Sequence, residues 1–462
     1  MDTAQTITQK LDALYEFDRE PVSEAKLHGP TSFIGVYSGE HIAGTEYVIG
    51  PLFVSHGVTA SDFILGLLIG NLLAVLSWAF VTSPISVKTR LTLYWQLRKV
   101  AGPHLTVAYS IVNALMFCFL AGSMISVSAT AIGLPFNMTM PGLNDMLPNS
   151  VGWVIVVLLV GGAVTASAIL GFEKISRYSK IASPWMVLVF IAGAVAVLPN
   201  LGVTTLGDFW RAANEKIWTG VPFPGQSKFT FWHVVFFAWF CNLAMHIGMS
   251  DMSLLRYAKK WYYGFASAFG MFLGHFICWI SSGILCAAAS GSVAPGPIAY
   301  LGAGLAGAVS VVVAGWTTAN PTLYRAGLAL QVATPDWKRW KVTLCAGVVT
   351  TIAAVFPALM MKLLDFVALY GLILMPMGAV IFADFWLLPR LRLQAGYAEL
   401  NGITISWPAL IAWAITLALC FALPYEIFFK ALPGWFIAVV LYVVCSYLQQ
   451  QRQRNQRERK LA

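Results

Sequence analysis

Three ionisable residues, Glu40, His41 and Glu46, sit in an otherwise apolar stretch together with Gly35, Gly39, Gly44 and Gly50. A carboxylate in hydrocarbon costs roughly 2.5–3.5 kcal/mol even on insertion scales, so it is kept for pairing or for function. Glycine tolerates a locally unwound helix, and the carbonyls freed there can bind a cation. Residues 39–44 therefore read as a break built for binding; the plain alternative is that Glu40 pairs with a basic residue on a neighbouring helix. Glu46 reads equally as a site residue or an interfacial one. A second polar cluster, Ala314-Gly315-Trp316-Thr317-Thr318-Ala319-Asn320-Pro321, sets two adjacent hydroxyls beside a proline that frees backbone carbonyls. Such hard oxygens suit a small cation such as sodium, although threonines in membrane helices more often bond back to their own backbone.

The elements that must position these residues follow from composition. Of 462 residues, 58% are hydrophobic and 11% charged, against roughly 25% charged in a soluble domain. Apolar runs long enough to cross about 30 Å of hydrocarbon recur along the chain. They are apolar almost all round, so lipid is their solvent. The expected spans are 31–53, 62–83, 103–133, 151–171, 182–199, 230–250, 262–290, 297–324, 342–361, 364–388, 404–422 and 433–449. The fold class is thus an all-α integral membrane protein of about twelve helices.

With the N-terminus inside, only Arg211, Lys216, Lys228, Lys362 and Lys430 of the 29 Lys and Arg fall in outside segments. The other 24 lie inside, which places both termini in the cytoplasm of a cell inner membrane by the positive-inside rule. The net charge of +9 therefore reads as topology, not as a nucleic-acid site. The first thirty residues are polar and read as a partly ordered cytoplasmic arm with no cleavable signal. Seven cysteines, none in a CxxC pair, all fall in apolar runs and read as small buried hydrophobes, not as zinc ligands or disulfides.

The polar stretch 200–229 reads as an outside loop joining two halves. Gly39-Glu40-His41-Ile42-Ala43-Gly44 in span one is echoed by Ala244-Met245-His246-Ile247-Gly248 in span six. A repeat of five spans is odd, so its second copy must insert upside down. The chain then divides into an arm (1–30), a first repeat (31–199), the loop (200–229), a second repeat (230–390), two further helices (391–449) and a basic tail (450–462). His56, His104, His233 and His275 read as packed or interfacial, and Asp62 and Asp384 as helix caps or anchors. A channel would need a polar stripe through several spans. An enzyme would need a catalytic constellation, and no phosphate-cradling glycine loop points to nucleotide hydrolysis.

Four segments carry a family resemblance: Gly57-Val58-Thr59-Ala60-Ser61-Asp62-Phe63 with Leu68-Ile69-Gly70-Asn71-Leu72; Asp251 with Leu255-Arg256-Tyr257; Trp316-Thr317-Thr318 through Leu323-Tyr324; and Pro376-Met377-Gly378-Ala379-Val380-Ile381-Phe382-Ala383-Asp384-Phe385. In this order and spacing the chain resembles the nucleobase–cation symporter-1 family, which includes cytosine permeases and hydantoin transporters. The resemblance implies two inverted five-helix repeats with discontinuous helices one and six, plus two extra helices, working by alternating access. It implies a secondary transporter, not an enzyme, that imports a small nitrogen-containing heterocycle by cation symport. It also implies a sodium site made by the carbonyls of Gly39, Ile42 and Ala314 and the hydroxyls of Thr317 and Thr318. Proton coupling through Glu40, His41 or His246 is the alternative.

For the substrate, the resemblance assigns Asn113 to a ring-binding amide on span three, and Trp239 or Phe240 to a stacking aromatic on span six. Met116 stands where the family has a tryptophan, and Ala319 where it has an asparagine, with Asn320 following. With Glu40, His41 and Trp316 these complete the expected substrate set. A flexible methionine and a nearby carboxylate would suit an alkylated or cationic ligand, and an amine or amino-acid transporter on the same fold is the rival reading.

Overall fold

The computed structural model describes residues 7–142, 145–289, 295–361 and 363–461; Lys362, counted above among the outside charges, and the first six residues of the arm lie outside them. Among the described residues every regular element is helical. Eight helices are long and apolar enough to cross a membrane: Ala60–Thr89, Pro103–Phe136, Val151–Ile169, Phe172–Leu201, Trp261–Ala288, Pro295–Gln331, Leu369–Arg390 and Ile427–Gln456. Helices Trp407–Ala422 and Arg339–Ala354 make two further passes. Spans one and six are each interrupted. Span one is helical over Pro30–His41 and Glu46–Ser55, and span six over Phe231–Phe240 and Met252–Leu255. The total is twelve passes, with Leu65, Leu72, Leu159, Val349 and Val440 among the large apolar side chains left exposed on the outside of the bundle.

The helices outrun the expected spans where charge had set the limit. Span five begins at Phe172, ten residues before its expected start at 182, and carries Lys174, Arg177 and Lys180 within the helix. Arg177 pairs there with Glu173 one turn away. Hydropathy marks the part of a helix that sits in hydrocarbon, whereas backbone hydrogen bonding continues into the polar zone. Span eight likewise runs from Pro295 to Gln331, bent at Ala303 and Gly304, where Gly304 has φ 55°.

Two segments expected outside the spans, the partly ordered arm and the joining loop, pack onto the fold. The loop between the repeats contains the short helix Leu206–Ala212, capped by Thr205 and Asp208, and it buries Trp218 against Phe63. The N-terminal arm crosses the bundle as a strap. The His28 amide donates to the Tyr257 carbonyl at 2.8 Å, and the Tyr257 and Tyr324 hydroxyls donate to Glu16 Oε2 at 2.7 and 2.9 Å. The buried Arg256 guanidinium donates to the carbonyls of Glu16 and Phe17. Span eight packs along span three over most of its length and also against span five, so the span-one break is held between spans five, seven and eight.

Candidate functional site

Residues 42–45 interrupt the helical hydrogen bonding of span one: the Ile42 amide closes the first half on the Ser38 carbonyl at 3.0 Å, and the Ala43, Gly44 and Thr45 carbonyls accept from the second half. No amide from Ala43 to Thr45 returns to the first half, and among the described residues the carbonyls of Gly39 and Ile42 receive no backbone donor. The break lies against span eight: a Cβ on Gly44 would stand 3.6 Å from both the Gly315 nitrogen and the Val311 oxygen. Thr318 spans the gap, its hydroxyl lying 2.9 Å from the Glu40 carbonyl and 3.0 Å from that of Ala314. The Thr317 hydroxyl also reaches the Ala314 carbonyl, at 3.1 Å. Freed carbonyls on one element and paired hydroxyls on the next are oxygen donors of the kind a small hard cation takes.

The Glu40 side chain is held by Arg325, whose two terminal nitrogens donate to the two carboxylate oxygens at 2.5 and 2.9 Å. Arg325 also donates to Asp251 in the span-six break, and the Trp78 indole donates to the other Asp251 oxygen at 2.6 Å. All of these groups are buried. Arg325 had been counted only as an inside loop charge. It lies two helical turns beyond Thr318 on the same face, and that spacing was the available signal. Arg256 and Arg339 of the same set are also buried, and removing all three leaves the charge asymmetry intact.

Trp78 links the two breaks. The rings of His41 and His246 meet it edge-on at 5.5 and 4.8 Å, so the sequence echo between spans one and six corresponds to two similar places in the bundle. Each histidine sets one ring nitrogen on a backbone carbonyl and leaves the other without a hydrogen-bond partner. His246 Nε2 sits 2.8 Å from the Trp239 carbonyl. His41 Nδ1 is 2.8 Å from the Tyr37 carbonyl, while its Nε2 has no hydrogen-bond partner.

A narrow cavity of about 70 Å³ opens between the two breaks, with Glu40, His41, Glu46, His275, Phe237 and Tyr370 among its walls. Glu46 accepts the Trp279 indole N–H on Oε2, and its Oε1 lies 3.4 Å from the Thr45 hydroxyl. His275 stacks on Trp279 at 4.5 Å and its ring lies 5.0 Å from that of His41. Sequence reasoning left Glu46 undecided and gave His275 only a packing role. A histidine in an apolar run carries no sign of which neighbour it will meet.

The expected substrate residues divide by helical phase. Glu40 and His41 line the cavity. Span six contributes Phe237, whereas Trp239 turns to Ser77, its indole donating at 2.9 Å, and stacks on Phe240. Residues two apart on a helix point about 200° apart, so only one of Phe237 and Trp239 can face inward. The same phase turns Trp316 away from Thr318: its indole donates to Ser167 at 3.1 Å and its ring packs on Tyr178. Span three supplies Leu120, one turn beyond Met116, which packs on the main apolar cluster. Asn113 and Asn320 are buried near these elements but do not wall the cavity.

No protein-family profile matches the chain, and no curated protein sequence matches it. Solved structures do. Mhp1, a nucleobase-cation-symport-1 family transporter in a closed conformation with bromovinylhydantoin bound, is 18% identical and superposes with a TM-score of 0.73 over 94% of this chain and 96% of that one. An inward-facing conformation of Mhp1 is similar at 15% identity and a TM-score of 0.71, covering 94% of each chain. A substrate-bound, outward-open Na+-coupled sialic acid symporter is similar at 13% identity and a TM-score of 0.68, over 95% of this chain and 93% of that one. At these identities the likeness establishes architecture: the chain is a twelve-pass helical membrane protein with the inverted-repeat fold of the nucleobase-cation-symport-1 transporter Mhp1.

Proposed function

We propose that the protein is a secondary active transporter that imports a small nitrogen-containing heterocycle by sodium symport and alternating access. The observation that carries this reading is the bridge from Thr318 to the span-one break, beside a cavity walled by Glu40, His41 and Glu46. A sodium ion held by the carbonyls of Gly39, Ile42 and Ala314 and the hydroxyls of Thr317 and Thr318 would clamp span one to span eight. Because span one also walls the cavity, the ion would favour the cavity shape that binds substrate, and each ligand would tighten the other. Charge supports the same reading: Glu40 and Asp251 share the single cation of Arg325, and a second cation nearby balances the remaining negative charge. Residues 31–199 and 230–390 are the two repeats in this scheme, in an inner membrane with both termini cytoplasmic.

A thermal-shift screen in detergent, with sodium or choline as the only salt cation, tests the reading. Nucleobases, hydantoins, pyrimidine vitamins and small amines make the panel, since a specific ligand stabilises the folded state by mass action. A hit is expected to shift the melting temperature more in sodium than in choline, and Thr318→Val is expected to abolish that difference. Equal shifts in the two salts would remove sodium coupling. Proton coupling, favoured by the unpartnered His41 Nε2, would appear instead as uptake into proteoliposomes that follows a pH gradient without sodium.

A further inference from the structure

We infer that the cavity recognises a compact nitrogen cation bearing N–H donors, with Glu46 as its charge partner. The inference rests on the transporter reading and names the substrate class of that same site. It begins from a contrast between two buried carboxylates in one cavity. Glu40 is saturated by Arg325 on both oxygens, so it has no charge left to offer a ligand. Glu46 is equally buried but receives only neutral donors, the Trp279 indole and the Thr45 hydroxyl.

Among the described residues, no Lys or Arg is paired with Glu46. The facing segment Ile277–Ala288 of span seven contains no charged residue. Its preceding turn, Phe269–Phe276, contributes only His275, whose Nε2 is 3.9 Å from Glu46 Oε1. The Asn242 amide nitrogen lies 3.5 Å from that same Nε2. In the tautomer that accepts from this amide at Nε2 the ring is neutral and supplies no charge to Glu46. On span eight Arg325 is committed to Glu40 and Asp251, and on span five Lys180 reaches Ser32 at the far end of span one. A buried carboxylate without a cation is costly, and a bound cation that pairs with it relieves that cost.

Two independent features set the character of that cation. His41 lines the same cavity with Nε2 unpartnered; because Nδ1 donates to the Tyr37 carbonyl, the free nitrogen is an acceptor. The cavity thus presents two acceptors, Glu46 and His41 Nε2, and calls for a ligand with more than one N–H. Three rings stand in its remaining wall, Phe237, Tyr370 and Phe428, with Phe237 4.8 Å from Phe428. Ring faces beside a carboxylate favour a planar or alkylated organic cation over a hydrated metal ion.

Matched pairs of probes test this on the full-length protein in saturating sodium chloride, which fills the ion site. Guanidinium and urea are planar isosteres differing in charge, as are protonated 4-aminopyridine and aniline. Millimolar titrations followed by thermal shift or calorimetry are expected to show each cation binding at least about tenfold tighter than its neutral isostere. Glu46→Gln is expected to bring the ratio below about twofold while leaving the sodium-dependent shift in place. Phe237→Leu, which keeps the carboxylate, is expected to weaken the cations more than the neutral probes. Equal binding of the two members of each pair overturns the inference, as does an undiminished cation preference in Glu46→Gln. Uptake of neutral nucleobases with sodium dependence but no affinity for either cation would sink this proposal and leave the transporter reading standing. Absence of any sodium shift and of any uptake would instead sink the reading beneath it.

Discussion

Arg325 is the residue on which the two broken helices converge, since its guanidinium is shared by Glu40 of span one and Asp251 of span six. A bidentate pair in a buried setting owes its value to completeness. Removing one partner leaves an uncompensated charge at a cost of about 3–5 kcal/mol, whereas replacing all members together is far less harmful. Arg325→Met is therefore expected to lower the melting temperature in detergent by several degrees. The triple variant Glu40→Gln, Asp251→Asn, Arg325→Met is expected to recover much of that loss. A single variant that melts with the wild type would show that the network does not join the two breaks energetically. At the same scale, Glu40 and Glu46 illustrate how little residue type says alone: both were visible as carboxylates in an apolar run, and their partners separate them.

Between elements, close approach is enforced by glycine. A Cβ on Gly274 of span seven would stand 2.7 Å from the carbonyl carbon of His41, against backbone that cannot swing aside. Gly274→Ala is thus expected to push spans one and seven apart at the break and weaken ligand and sodium shifts together. A neighbouring substitution facing lipid, such as Leu273→Ala, should leave them unchanged. The short helix Leu206–Ala212 offers a test outside the membrane. The Asp208 carboxyl is pulled down to about 2, first by the Thr205 hydroxyl and then by the Thr205 amide and the Thr204 hydroxyl and amide. A carboxyl lowered by folding stabilises above its ordinary value and loses that contribution as pH falls through the lowered one. The extra protection of amides in Leu206–Ala212 over an Asp208→Ala variant should accordingly persist from neutral pH down to about 4 and fade below it, as read by hydrogen exchange.

For the whole molecule, an even number of passes puts the two termini on one side, and the proposal that this side is the cytoplasm rests on the charge split. Green fluorescent protein fused to either end is expected to fluoresce, because it folds in the cytoplasm and not after export through the general secretory route; a dark fusion at one end alone would overturn the pass count. Composition and charge made the passes legible. Lipid demands that backbone groups be satisfied within each helix, so twelve apolar runs mean twelve passes whatever their packing. The span-one break was legible for the same reason, since Gly39 and Gly44 flank ionisable groups that an intact lipid-facing helix would not carry. Thr317 and Thr318 were legible as a pair of oxygens.

What the chain's order could not supply was rotation and partnership. Trp239, Trp316 and Met116 were assigned to the site by the family resemblance, yet Trp239 and Trp316 turn to other helices, because a shift of two residues turns a side chain to the opposite face, and Met116 packs into the apolar cluster. The pairing of Glu40 with Arg325 spans 285 positions, and the meeting of Glu46 with His275 and Trp279 likewise depends on how spans one and seven dock. Local composition decides whether a segment enters the membrane, since the solvent acts on each helix separately. Which carboxylate is paired with an arginine and which meets only neutral donors is decided only by contacts between helices, and those exist in the folded bundle alone.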